Sequence, residues 1–166
     1  MLRKLFILGV ITFFLKSLFA ETIVVSMYDV SAQGNNQLVG QVRIQFSPYG
    51  LLFFPALHSL PAGIHGFHIH EYPSCADQGM AAGGHLDPQN TGHHLGPYNA
   101  AGHLGDLPVL YVDSSGVASL PVLAPRLTSL SQIKGHALMI HSGGDTYSDT
   151  PQLGGGGMRM FCGVIN

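Results

Sequence analysis

Residues 38–57, which read LVGQVRIQFSPYGLLFFPAL, decide the fold class of this chain. In the first half of the segment, Val42, Ile44 and Phe46 alternate with polar side chains. Residues two apart share one face of a strand, so this alternation is typical of a half-buried β-strand. The second half, from Gly50 onward, is another short run rich in Leu and Phe. The segment therefore predicts two successive strands.

Similar short runs, rich in Val, Ile, Tyr and Phe, recur along the rest of the chain between Gly, Pro, Asn and Asp residues. No stretch keeps a helical period, although residues 127–133 weakly favour a helical turn, and Asp113 to Gly116 predict a hairpin-type turn. Eight short strands with turn signals predict an all-β, antiparallel sandwich or barrel. The predicted strands are residues 22–30, 38–46, 50–57, 64–70, 108–113, 116–121, 136–141 and 158–164.

The composition fits one folded domain. With 166 residues, of which 46% are hydrophobic, the chain is long enough to bury one hydrophobic core. This apolar content and a net charge of −2 exclude an intrinsically disordered chain. Seven basic against nine acidic residues, without a basic cluster, exclude a basic nucleic-acid binder. Ten histidines, more than Lys and Arg combined, are the most unusual feature.

The first 20 residues, MLRKLFILGVITFFLKSLFA, predict a secretory signal peptide. Two basic residues precede an apolar run from Leu5 to Leu15, which is too short to span a bilayer comfortably. The alternatives are an uncleaved anchor or a buried strand. Cleavage after Ala20 would leave residues 21–166 as one domain with four basic and nine acidic residues, a net charge of −5. We expect this acidic domain to bind neither nucleic acid nor anionic membranes.

Export also affects how the two cysteines are interpreted. In an oxidising compartment, Cys75 and Cys162 predict a disulfide rather than a redox or metal-binding pair. The alternative is two buried free thiols.

Two histidines lie at strand spacing in the segment Gly66 to His70, which reads GFHIH. Because residues two apart share a face, His68 and His70 can bind one metal ion from the same side of the strand. The alternative is an ordinary polar strand face.

The 37 residues from Glu71 to Leu107 keep neither a strand period nor a helix period. A loop of this length is uncommon in a compact domain unless it is functional or held by other contacts. Three histidines recur in it at steps of nine, and an aspartate follows three residues after the last. Three imidazoles and one carboxylate form the closed set of four ligands that structural zinc favours. These residues are His85, His94, His103 and Asp106.

The alternative for this segment is a solvated polar loop with incidental histidines. Ordering 37 residues with so little apolar surface is costly, and metal binding would supply the missing free energy. His141 ends the seventh predicted strand. Together with His68, His70 and one shared loop histidine, it would form an imidazole-rich, thiolate-free set that suits Cu(II). Asp145 is a candidate to orient these rings, or else an ordinary turn aspartate.

Seven segments resemble, in the same order, those of bacterial periplasmic copper,zinc superoxide dismutases. The resemblance covers residues 36–165, which is most of the chain that follows the predicted signal peptide. Its segments are GFHIH (66–70), AGGHLDP (82–88), HLGP (94–97), HLGDLP (103–108), LAPRL (123–127), ALMIHSGGD (137–145) and GGGGMRMFCGVI (154–165).

The resemblance implies an eight-stranded Greek-key β-barrel with long metal-binding loops, and it implies a role for each site residue. His94 rather than His93 is the implied zinc ligand, because only His94 precedes Leu95 as in the HLGP motif. The implied copper ligands are His68, His70, His85 and His141. The implied zinc ligands are His85, as a shared imidazolate, with His94, His103 and Asp106. Asp145 would link His68 to His94, Arg159 would bind the anion, and Cys75 and Cys162 would form the disulfide.

The resemblance also implies the activity. Two superoxide radicals would become dioxygen and hydrogen peroxide as copper cycles between Cu(II) and Cu(I), while zinc keeps His85 oriented. Each subunit of a periplasmic homodimer would bind one copper and one zinc. A second hypothesis is a protein that only buffers copper and zinc, but such a protein would be expected to use Met or Cys ligands. A zinc hydrolase is disfavoured, because four protein ligands leave no open position on the zinc.

The remaining histidines and two of the methionines are predicted to have roles other than metal binding. His65 and His136 have the opposite strand parity to the strand-borne ligands, so we expect structural roles for them. A solvated side chain is favoured for His93, and His58 has no assigned role. Met158 and Met160 are expected to pack in the core or at an interface.

Two loops that are expected to border the copper site contain no Lys or Arg. These loops are residues 76–84 and 142–157. Attraction of the anionic substrate would then depend mainly on Arg159, so we expect the rate to depend only weakly on ionic strength.

Overall fold

The computed structural model describes residues 21–31 and 36–166, so the predicted signal peptide lies outside the described residues. Short 3₁₀ turns cover Met80–Ala82, Leu130–Gln132 and Gln152–Gly155. The second of them lies within the predicted helical turn. None of the described helices is long and apolar enough to cross a membrane. The strands are β1 (Thr22–Asp29), β2 (Leu38–Ser47), β3 (Gly50–Leu57), β4 (Gly63–His65), β5 (Phe67–His70), β6 (Leu110–Val112), β7 (Val122–Ala124), β8 (His136–His141) and β9 (Arg159–Ile165).

Seven of these strands form one antiparallel sheet, in the order β5-β8-β9-β1-β2-β3-β7, and β4 pairs with β6. Strands β1, β2 and β3 are consecutive neighbours, and the last strand, β9, returns to lie beside β1. The long connections that place β7 beside β3 and β9 beside β1, instead of hairpins between sequence neighbours, are of the Greek-key kind. The predicted all-β Greek-key barrel is confirmed.

The inward-facing residues of the strands form the core. Alternation on β2 buries Val42 and Ile44 completely, as predicted, while Phe46 on the same face is 53% exposed because it lies near the strand's end. Phe53 of β3 packs edge-to-face on Phe67 of β5, with ring centroids 5.8 Å apart. The core thus fixes β5, which carries the first two candidate ligands.

The predicted strand at residues 64–70 is two strands. Gly66 separates them: its N–H donates to the carbonyl of Gly143, and its own carbonyl accepts from the N–H of His141. The first part, β4, pairs with β6, and the second part, β5, pairs with β8. Nine strands are therefore described where eight were predicted.

The predicted strand at residues 116–121 is wrong. Only an isolated bridge joins Ala118 to Leu57, and the strand begins later, at β7. The same register runs from this bridge to the pairing of β7 with β3. The ladder fails between them, where Pro55 of β3 would face Leu120 and has no N–H to donate.

The long segment between β5 and β6 packs on β8 and β9 through Ala82 and reaches the main core through Leu86 and Leu107. A disulfide joins Cys75 in this segment to Cys162 on β9, with a sequence separation of 87 residues. The predicted disulfide is confirmed, and the alternative of free thiols is excluded. Around it lies a second small apolar cluster, separate from the main core, of Val30, Ala82, Ala137 and Met139.

Candidate metal centre

The first group of candidate ligands is built on two neighbouring strands. β5 contributes His68 and His70, and β8 contributes His141 at its end. The long segment adds His85, which forms an isolated bridge with His70. All four side chains are buried, and their nearest ring nitrogens all lie within 4.8 Å of one another. The structure thus brings together the four residues predicted for copper.

The hydrogen bonds of two rings in this first group indicate which of their nitrogens carry lone pairs. Nδ1 of His70 donates to the carbonyl of Gly83 at 3.0 Å, and Nδ1 of His141 donates to that of Gly157 at 3.3 Å. In a neutral imidazole the other nitrogen then carries a lone pair. The two Nε2 atoms lie only 3.3 Å apart. Two lone pairs converging at this distance fit a shared cation.

The second group converges on one carboxylate oxygen. Oδ1 of Asp106 lies 2.9 Å from Nδ1 of His85, 3.0 Å from Nδ1 of His94 and 3.4 Å from Nδ1 of His103. The other oxygen, Oδ2, accepts a hydrogen bond from the N–H of Gly96 at 3.1 Å. The carboxylate is thereby held by the backbone while Oδ1 faces three rings. These are the four residues predicted for zinc.

Three buried nitrogens in these groups make no hydrogen bond: Nδ1 of His68, His94 and His103. The distances from Asp106 to His94 and His103 are short, but the donors are not aligned for hydrogen bonding. A buried polar atom without a partner is costly and therefore rare. Lone pairs aimed at a common point satisfy this need when a metal ion binds there, so the residues present fit copper and zinc.

Asp145 joins the two groups from a loop that follows β8. Its Oδ2 accepts from Nε2 of His68 and its Oδ1 accepts from Nε2 of His94, each at 2.7 Å. The N–H of Tyr147 also donates to Oδ1 at 2.7 Å. With Nε2 protonated, each ring presents Nδ1 to its own group. The alternative of an ordinary turn aspartate is excluded by these contacts.

Burial sets the charge states. Burial, reinforced by the neighbouring His85, lowers the pKa of His68 and His70 well below 6.5 and that of His141 to about 4. For His94, burial is outweighed by the carboxylates of Asp106 and Asp145, which raise its pKa to about 9. The first group is therefore neutral at pH 7 and ready to donate lone pairs. His94 would release a proton when a metal binds.

Arg159 begins β9 and pairs with His141 across the sheet, at an irregularity in the register. Its guanidinium donates to the carbonyls of Gly79 and Gly83, each at 2.6 Å. Gly83 is also the acceptor for His70, so the cation and the first group share one backbone oxygen. The structure thus places the predicted anion-binding residue beside the first group.

The match to known proteins agrees with this geometry. A family model described as copper/zinc superoxide dismutase matches residues 38–165. The chain belongs to the copper/zinc superoxide dismutase family. It is accordingly an oxidoreductase that acts on superoxide and uses copper and zinc.

Several bacterial enzymes are similar to this superoxide dismutase. The chain is 52% identical to superoxide dismutase [Cu-Zn] 1 of Salmonella typhimurium, over 87% of this chain and 87% of that protein. Among solved structures, the Cu/Zn superoxide dismutase of Brucella abortus is 49% identical, with a TM-score of 0.83, over 88% of this chain and 100% of that one. A structure described as the monomeric copper, zinc superoxide dismutase of Salmonella enterica is 54% identical, with a TM-score of 0.76 and the same coverage.

The other histidines of this superoxide dismutase lie outside both groups. His65 is buried, and its two ring nitrogens lie 2.8 Å from the carbonyls of His141 and Pro61. His136 contacts the carbonyl of Glu71 at 2.7 Å. These contacts are structural, as predicted for both residues. The solvated side chain predicted for His93 is 64% exposed, and His58 is exposed too.

The two methionines beside Arg159 behave differently. Met160 is partly buried and packs against the main core, as predicted. Met158 is 72% exposed, so it does not pack in the core, and the alternative of packing at an interface stays a prediction. It precedes the first residue of β9, and strand alternation therefore does not govern its direction.

The sequence did not reveal the backbone carbonyls that hold the ring nitrogens. Those of Gly83 and Gly157 orient His70 and His141, yet every residue has a carbonyl, so composition and spacing carry no signal for them. It also gave no role to Arg126, which contacts the second group's loop. The LAPRL segment that contains Arg126 was the available signal.

Proposed function

We propose that the first group holds copper and the second holds zinc, with His85 as the imidazolate shared between them. The proposal rests on the position of His85, which belongs to both groups. Nδ1 of His85 faces Asp106, so Nε2 is the nitrogen directed to the copper group. The ring stacks on His68 with centroids 4.0 Å apart, which fixes its plane.

When bound, copper supplies one-electron transfer by alternating between two oxidation states, which zinc does not do. The chain's own residues orient the ring of His85 and provide a position for a proton. Because Asp106 and the second group hold Nδ1 of His85, the ring keeps its orientation whatever is bound at Nε2. That nitrogen can hold a proton next to the substrate and release it to the reduced product.

Arg159 would bind superoxide. Two of its nitrogens are used on the carbonyls of Gly79 and Gly83, which aims the planar group and leaves other N–H donors for a small anion. The three other cations in the described residues have different partners. Lys134 pairs with Glu21, Arg43 stacks over Phe54, and Arg126 binds backbone carbonyls.

We also propose that the protein acts in the periplasm, in defence against superoxide, after removal of residues 1–20. The predicted signal peptide and the disulfide support an oxidising compartment. Osmotic-shock fractionation, with the mass of the released protein, would test this. Recovery only from the cytoplasm with residues 1–20 attached would contradict it. The predicted homodimer stays a prediction, which sedimentation of the mature protein would test.

The metal assignment is tested by anomalous scattering at the copper and zinc edges on crystals of the mature protein. One copper within bonding distance of His70 and one zinc within bonding distance of His103, both bonded to His85, would support it. Superoxide decay after pulse radiolysis would be followed on the same preparation. Two metals bound elsewhere, or a full complement of both metals with no superoxide consumption, would overturn the proposal.

A further inference from the structure

Arg126 lies in the turn directly after β7 and reaches across to the loop that carries the second group. Its Nη1 donates to the carbonyl of His103 at 2.9 Å, and its Nη2 donates to that of Gly102 at 2.8 Å. Both nitrogens of one end of the guanidinium are therefore used on consecutive carbonyls. Among the described residues, no carboxylate forms an ion pair with Arg126.

The loop has few other means of fixing His103. The N–H of His103 donates to the carbonyl of His93 at 2.9 Å, and the carbonyl of His103 accepts a long hydrogen bond from the N–H of Asp106 at 3.4 Å. Both bonds join parts of the same loop. The ring itself makes no hydrogen bond through Nδ1. Arg126, by contrast, is anchored to the barrel, because β7 pairs with β3 at the edge of the seven-stranded sheet.

We infer that Arg126 is a positioning residue for zinc: it fixes the backbone of His103 so that Nδ1 faces the metal. This inference rests on the proposed zinc site. A guanidinium suits the task because its rigid, planar fork can donate to two neighbouring oxygens at once, which the single ammonium of lysine does less well. Groups that orient a ligand from outside the coordination sphere typically contribute 10- to 100-fold to metal affinity.

The experiment uses mature protein loaded with copper and zinc. Zinc release to a chromogenic chelator is compared between the wild type, Arg126→Gln and Arg126→Lys. We expect release to be about 10-fold or more faster for Arg126→Gln and intermediate for Arg126→Lys. Arg43→Gln is the matched control, because it removes a cation from the outer face of the barrel, where Arg43 stacks over Phe54. Its release rate should equal that of the wild type.

Two further measurements separate positioning from general support of the fold. Cobalt(II) in the zinc position reports ligand geometry through its visible absorption bands, which should change in Arg126→Gln and stay unchanged in Arg43→Gln. The unfolding midpoint of the metal-free protein should change little in either variant. Faster release together with changed cobalt bands supports the inference.

Equal release rates for Arg126→Gln and the wild type would overturn the inference. So would faster release that merely parallels a large loss of metal-free stability with unchanged cobalt bands. A wild-type protein that binds no zinc at these residues would instead overturn the proposed function, so the two failures are distinguishable.

Discussion

Replacing Asp145 by asparagine should damage the copper group more than the zinc group. An amide has one acceptor oxygen and one donor NH₂, whereas the carboxylate accepts at both oxygens. In the structure Oδ1 accepts from two donors, Nε2 of His94 and the N–H of Tyr147, while Oδ2 accepts only from His68. The amide oxygen therefore takes the Oδ1 position, and the NH₂ group faces Nε2 of His68.

In that contact two N–H donors, the amide NH₂ and Nε2 of His68, would face each other at the 2.7 Å separation seen for the carboxylate. His68 relieves it by moving its proton to Nδ1, which is the nitrogen directed to the copper group. A buried hydrogen bond to a charged partner is worth about 1.5–3 kcal/mol, or roughly 10- to 150-fold in an equilibrium constant. Copper affinity should fall by that factor, and zinc affinity by much less, because His94 keeps its acceptor.

The assay is competition for each metal against chelators of known affinity. Asp149→Asn is the control, since Asp149 lies in the same loop and accepts from the backbone N–H of His94 rather than from a ligand ring nitrogen. It should change neither affinity more than a few-fold. Asp145→Asn protein that loses zinc while retaining copper would refute the reasoning about the orientation of the amide.

Four further outcomes follow from the same geometry. Arg159→Gln should slow superoxide consumption about 10-fold or more with both metals retained, measured by pulse radiolysis with metal analysis; an unchanged rate would remove Arg159 from substrate binding. Raising the ionic strength from roughly 0.01 to 0.15 M should change the wild-type rate only slightly, because Arg159 is the one Lys or Arg that the structure places beside the copper group among residues 21–31 and 36–166, and a steep fall would contradict this. In the metal-free protein, burial lowers the pKa of His141 from 6.5 to about 4 and lowers those of His68 and His70 well below 6.5. The contribution of these neutral rings to the free energy of unfolding is therefore present above pH 6.5 and is lost as the pH falls toward 4, at up to about 1.4 kcal/mol per pH unit for each ring. Urea unfolding at several pH values would show this loss, and a free energy of unfolding that increases as the pH falls through this range would contradict it. Reducing the bond between Cys75 and Cys162, which spans 87 residues, should cost roughly 4–5 kcal/mol of unfolding free energy in the chain-entropy model, and equal midpoints for both forms would count against that model.

Local pattern predicted most of the strands, and failed where a strand's partner matters. β8 begins and ends at the predicted residues, because the residues of this segment by themselves indicate both the strand and its two ends. The predicted strand at 116–121 is also apolar and bounded by turn residues. Whether it pairs depends on Pro55, a residue on another strand, which sequence-local reasoning does not consider.

The same distinction applies to the site. Strand spacing alone suggested that His68 and His70 share a face, and the structure places both in one group. Asp145 was ambiguous, since its role depends on two rings from segments more than 50 residues away. Arg126 was given no role, because the LAPRL segment marks its position but does not show which oxygens its guanidinium contacts.

The two groups are built differently, and this difference explains why the arginine after β7 matters. The copper group takes three of its rings from β5 and β8, whose backbones are fixed by the sheet before any metal binds. The zinc group has no strand of its own: His94, His103 and Asp106 all lie in the connection between β5 and β6. Ordering such a segment costs conformational entropy, which the burial of Leu86 and Leu107 in the main core offsets only in part. On the proposed assignment, metal binding would supply part of this free energy, and Arg126 would fix the direction in which His103 meets the ion. Zinc would then organise the loop, while copper would occupy a site that the barrel has already formed.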